Sequence, residues 1–217
     1  MRFQKHYWEL LMTELVYFLI IFGLCILIYF MTKEIYKLSK HKGIYHFRNI
    51  FLYFALAYAF RIIYIAIAIY LRSEGISFSL LTPIALLLIS YTSTMAILSM
   101  IMAALKNHKV KEIFLHVVSI ILSIFIFFTQ SQQFLVFIQL LLFIVAVVLV
   151  ISKKNQISTN KITYGLLFLF WVVNTFFIGL NLGGIFRIPL YFISVVIFFS
   201  IYVRVLKRLP DGKKRSS

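Results

Sequence analysis

Residues 47–71 read FRNIFLYFALAYAFRIIYIAIAIYL. From Asn49 to Leu71 the only charged side chain is Arg61, near the middle. A run of this length crosses a bilayer, which needs about 20 mainly apolar residues. A charge at the bilayer centre costs from about 3 to more than 10 kcal/mol, so it seldom faces lipid. It points into the bundle and finds a partner there. This one stretch therefore indicates both the fold, a bundle of membrane helices, and the first place to look for a site.

Six more stretches qualify around it. The expected spans are Trp8–Met31, Phe47–Leu71, Ser77–Leu105, Ile113–Phe128, Gln133–Ile151, Ile162–Leu182 and Ile185–Leu206. The composition agrees: 63% of the 217 residues are hydrophobic and 13% charged, against about 45–50% and 25% in a soluble domain. The reading is an all-α polytopic membrane protein, a single seven-helix domain over residues 1–217. The first apolar stretch is too long for the h-region of a signal peptide, and no small-residue cleavage site follows it, so it is expected to stay as a helix. The single cysteine, Cys25, excludes a disulfide within the chain and a cysteine-based zinc site.

Seventeen of the 22 Lys and Arg residues fall in alternate connections and the tail, among them Lys33, Lys37, Lys40, Lys42 and Arg48 in the first. Four lie on the opposite side, Arg2, Lys5, Arg72 and Arg187, and Arg61 completes the set. Positive residues stay in the cytoplasm. The N-terminus is thus expected outside and the C-terminus inside, with residues 207–217 as a basic cytoplasmic tail in a multi-pass protein of the cell membrane. The net charge of +16 reads as a topology signal and not as a nucleic-acid footprint. The basic face would meet anionic lipid headgroups, and a cytoplasmic protein partner is a second candidate for it. The oligomeric state is not legible.

The polar residues at membrane depth define the candidate ligand site: Arg61, Glu14, Tyr64, Tyr91, Thr94, Trp171 and Asn174. Tyr53, Ala57, Tyr64 and Ala68 share the Arg61 face at helical spacing. Glu14 is the carboxylate nearest by depth, so an Arg61–Glu14 pair is expected, either fixing helix packing or opening to a ligand. Residues Ser90 to Thr94 can bond their own helix backbone and need no ligand. Asn174, Trp171 and Gln139 add amide and indole groups; a membrane asparagine commonly bonds another helix. If these faces converge, a cationic centre among hydroxyls and amides suits a small polar or anionic ligand, a carboxylate or a polyol, better than a cation.

Pro83 in span three and Pro189 in span seven, with a short fourth span between, resemble the plan of sugar-efflux and PQ-loop transporters, two three-helix repeats joined by one helix. The similarity is of topology, since the Pro-Gln pair of that family is absent. Leu80-Leu81-Thr82-Pro83 and Trp171 are similar to features of microbial rhodopsins, but span seven has no lysine for a Schiff base and the acidic counter-ions are missing. No cofactor is expected. The histidines His6, His41, His46, His108 and His116 lack the spacing of a helix zinc site, and no phosphate loop or Ser–His–Asp arrangement is present. Neither a metal nor an enzymatic role is expected. The functions left are binding or transport of a small solute, a receptor-like sensor with a separate cytoplasmic partner, or a helper subunit of a membrane complex.

Overall fold

The computed structural model describes residues 2–74, 80–105, 111–152, 158–179 and 184–207. Among these the regular elements are seven helices: α1 (Arg2–Ser39), α2 (Lys42–Ser73), α3 (Leu81–Ala104), α4 (Glu112–Thr129), α5 (Gln132–Ser152), α6 (Ser158–Gly179) and α7 (Gly184–Leu206). Five contain stretches long and apolar enough to cross a membrane: Leu11–Ser39, Lys42–Leu71, Leu81–Ala103, Glu112–Thr129 and Arg187–Leu206. In α5 and α6 the shorter apolar stretches are Gln133–Leu149 and Ile162–Asn174. The molecule is a helical protein of membrane type.

The first two helices correct one expectation. The basic segment Thr32–Arg48, expected as a connection, is helical except at Lys40 and His41. Lysine is a good helix former, so charge alone does not end a helix. Lys40 does so by taking the left-handed conformation at φ 51°, its N–H donating to the Tyr36 carbonyl at 2.8 Å. The His41 ring nitrogen then accepts from the Gly43 N–H at 3.1 Å, satisfying a donor that a helix start leaves open. At 38 and 32 residues, α1 and α2 are longer than a hydrocarbon core about 30 Å thick requires. The third helix starts at Leu81, later than expected, with Pro83 in its first turn, where the missing N–H costs no bond. The turn expected around Thr129 is sharp: Gln130 is left-handed at φ 49°, and Ser131 Oγ accepts the Phe134 N–H at 3.2 Å to open α5. The expected turn at 183–184, the lysines at 106–109 and 153–154, and the tail beyond 207 lie outside the described residues or at their edge.

Six helices close into a ring. In order around it they are α1, α2, α3, α5, α6 and α7, with α7 returning to α1. The main core draws on all six, centred on Phe51, Phe143, Phe170 and Phe198, each fully enclosed. α4 lies outside the ring, packed on α3 with only slight contact to α5. It contributes Leu115 to a separate small cluster with Met95, Leu98 and Met102. Its inward stripe is Leu115, Ser119, Ser123 and Ile126. The opposite face exposes Ile113, Val117, Ile120, Ile121, Ile124 and Phe128, which is stable against lipid and costly against water.

The neighbour order has a regularity. Exchanging α1, α2 and α3 with α5, α6 and α7 leaves every contact in the ring in place. α2 and α6 are the middle helices of the two halves, and they meet across the ring where Phe54 and Tyr58 pack on Phe170.

Candidate functional site

On α2, Tyr58 and Arg61 are three residues apart and so share a face. The Arg61 guanidinium carbon lies 5.3 Å from the Tyr58 ring centre and 5.6 Å from that of Phe18. These are cation–π distances. Arg61 is half-buried, and no hydrogen bond or ion pair ties it to another described residue. Glu14 makes no ion pair with it among the described residues. The expected Arg61–Glu14 pair is therefore not an ion pair in this structure: the arginine rests on aromatic faces.

Asn174 on α6 is a hub. Its Oδ1 accepts from Tyr17 Oη at 2.6 Å and Tyr58 Oη at 3.2 Å. Its Nδ2 donates to the Phe170 carbonyl at 2.7 Å and to Ser194 Oγ at 3.3 Å. All the amide's capacity is committed, and one side chain joins α1, α2, α6 and α7. The Tyr17 ring stacks on Tyr191 at 4.5 Å.

Gln139 on α5 forms a second tie. Its Nε2 donates to Ser93 Oγ on α3, and its Oε1 accepts from Trp171 Nε1 on α6 at 3.4 Å. The Trp171 ring stacks on Phe143 at 5.4 Å. Between these ties lies a cavity of about 40 Å³, lined among others by Ala57, Arg61, Ser93, Gln139, Trp171 and Asn174. A single water needs roughly 10–15 Å³, so the space holds a few waters or one small polar group.

The exchange that preserves the ring also relates these residues. Tyr17 on α1, Tyr58 on α2 and Ser194 on α7 meet at one amide; Gln139 on α5 engages Trp171 on α6 and Ser93 on α3. Arg61 follows Tyr58 by three positions, as Asn174 follows Trp171. On one side Asn174 bonds Tyr17, Tyr58 and Ser194 directly. On the other, the cavity separates Arg61 from the corresponding Gln139, Trp171 and Ser93.

Three of the seven expected site residues, Arg61, Trp171 and Asn174, line this cavity, and four do not. Tyr64 pairs with Thr82 Oγ1 at 3.3 Å. Tyr91 bonds His116 Nδ1 on α4 at 2.7 Å, with the rings stacked. Thr94 is enclosed beside Ser93, its hydroxyl without a hydrogen-bond partner. Glu14 is half-buried apart from the lining. Residues of the network not expected at the site are Tyr17, Tyr58 and Ser194. The i, i+3 spacing of Tyr58 from Arg61 was a usable signal; nothing in sequence marks Tyr17 or Ser194 among thirteen tyrosines and several membrane serines. In the run Ser90 to Thr94, Ser90, Thr92 and Ser93 do bond carbonyls of their own helix, and Ser93 also receives Gln139.

Over 218 aligned residues the chain is 31% identical to a protein of Archaeoglobus fulgidus described as an uncharacterized protein, covering 93% of this chain and 94% of that one. No protein-family model and no solved structure matches the chain.

Proposed function

The chain belongs to one family with the Archaeoglobus fulgidus protein, aligned over nearly the full length of both, and we propose that this bundle binds a small carboxylate-bearing solute at Arg61 and carries it across the membrane. The observation that supports this is an arginine at mid-helix with no carboxylate or hydrogen-bond partner among the described residues, lining a cavity whose mainly apolar wall also carries Ser93, Gln139 and Asn174. Even a half-buried cation is held less well by ring faces alone than by a paired anion. An anion between Arg61 and the Gln139–Ser93 tie would supply that partner and use the planar guanidinium fork.

Carriage draws support from the two-fold neighbour order. A site between two similar half-bundles, meeting at the α3–α5 and α7–α1 seams, opens to alternate faces if the halves rock against each other. In this reading all seven helices cross the cell membrane, α5 and α6 included at 21 and 22 residues. The N-terminus lies outside, and the basic α1–α2 hairpin end faces the cytoplasm.

The test uses purified protein in liposomes and a panel of small carboxylates: formate, acetate, lactate and pyruvate. Wild type should bind one of them and exchange it across the bilayer, and Arg61→Gln should do neither. Binding without exchange would sink the transport reading and leave a ligand-sensing bundle. Absence of binding across the panel, with Arg61→Gln clearly less stable than wild type, would make Arg61 a packing residue.

A further inference from the structure

A second arginine, independent of the Arg61 cavity, stands at the end of the bundle where α1 turns into α2. On α1, Tyr29, Lys33 and Tyr36 recur at spacings of four and three, so they lie along one face. On α2, Tyr45 and Arg48 are three apart. Across the hairpin the Arg48 guanidinium carbon sits 5.2 Å from the Tyr29 ring centre, 5.2 Å from Tyr36 and 5.0 Å from Tyr45. Three aromatic faces thus stabilise one cation. Its Nε is enclosed and has no hydrogen-bond partner. The terminal nitrogens are not so enclosed, and they too bond no described residue. Glu112 reaches the cage, accepting from Tyr45 Oη at 3.4 Å, but it forms no ion pair with Arg48. A guanidinium carries five donors; the tyrosines occupy its faces and leave its edge unused.

The surroundings indicate what would use that edge. Leu27 and Phe30, 50% and 54% exposed, lead along α1 toward Lys33, whose ammonium lies 5.8 Å from the Phe30 ring centre. Lys37 follows one turn on. Arg48 is about 9 Å along α2 from its start at Lys42, at 1.5 Å per residue, in a hairpin longer than the hydrocarbon core is thick. An apolar rail ending at two cations near headgroup depth matches an acyl chain below a phosphate. The geometry points to a binding site for an anionic phospholipid, its phosphate held bidentately by the Arg48 edge with Lys33 beside it and one chain on Leu27 and Phe30.

The experiment is native mass spectrometry of the full chain, reconstituted in equimolar phosphatidylglycerol and phosphatidylcholine and then gently extracted in detergent. Wild type should retain phosphatidylglycerol in preference. Arg48→Gln should lower that preference about tenfold or more, the scale of a lost charge-assisted bond pair. Arg48→Lys, which keeps the charge but not the fork, should fall between, and Arg61→Gln should match wild type. If Arg48→Gln does not fold, Arg48→Lys and Lys33→Gln decide, each expected to lose several-fold. Unchanged preference in the folded variants would overturn the site. Displacement of the lipid by inorganic phosphate would also overturn it, making the occupant a free anion.

Discussion

Arg61 and Asn174 stand at corresponding places on α2 and α6, yet their bonding is opposite. Asn174 is saturated by Tyr17, Tyr58, Ser194 and its own helix, so it works as a tie. Arg61 has ring faces and a cavity. The two should therefore respond differently to substitution. Arg61→Gln removes a charge that has no ion-pair partner among the described residues, and its stability in detergent should stay within about 1 kcal/mol of wild type or exceed it, while anion binding is lost. Asn174→Ala should lower stability by about 2 kcal/mol, three cross-helix bonds at roughly 0.6 kcal/mol each, read from the midpoint of denaturant unfolding. A large destabilisation by Arg61→Gln would move it into the same class as Asn174. Arg61 was legible because a lone charge in an apolar run is expensive wherever the helix sits. Tyr17 was not, since a tyrosine is tolerated at almost any depth and only its neighbours make it a tie.

Among the elements, α4 differs most from its neighbours. It packs on α3 through a narrow stripe, and Tyr91 is hydrogen-bonded across that interface to His116. Tyr91→Phe should cost roughly 0.5–1 kcal/mol, one interhelical bond in a membrane protein, and should leave anion binding unchanged because the pair lies away from the cavity. A loss of binding in that variant would mean that α4 positions the site after all. That the fourth helix is short was readable from the sequence. Its place outside the ring was not, because Ser119 and Ser123 look the same in sequence whether they face a helix or a cavity. The prolines were a weaker guide than they looked: Pro83 precedes Ser93 by ten positions and Pro189 precedes Ser194 by five, so they do not mark matching places in the two halves.

At the scale of the whole molecule, the six-helix ring sets what the cavity can do. Ala57 lines it with a small side chain. In a protein with Cys25 replaced by Ala, Ala57→Cys should react with a membrane-impermeant maleimide from either face of sided vesicles, and a bound carboxylate should slow both reactions. Reaction from one face under every condition would count against alternating access and for a sensor. The basic hairpin end should be labelled only from the cytoplasmic face through Lys40→Cys, at the break between α1 and α2; labelling from outside would reverse the proposed orientation.

The sequence by itself determined the class of the protein, the approximate positions of its helices and the unusual cost of Arg61. These follow from apolar length and isolated charge, which act residue by residue whatever the fold. It marked the Thr32–Arg48 segment as basic, though not that the segment is helical but for Lys40 and His41, since lysines suit a helix as well as a loop. The tertiary structure decided the ring order, the displacement of α4 and that Glu14 and Arg61 form no ion pair. It also decided which hydroxyls meet Asn174 and Gln139. Those depend on how each helix is rotated about its axis, and in a chain this uniformly apolar a helix carries no strong one-sided pattern to set that rotation. Packing against the neighbours sets it instead, and so leaves a cavity beside one arginine and a tyrosine cage around the other.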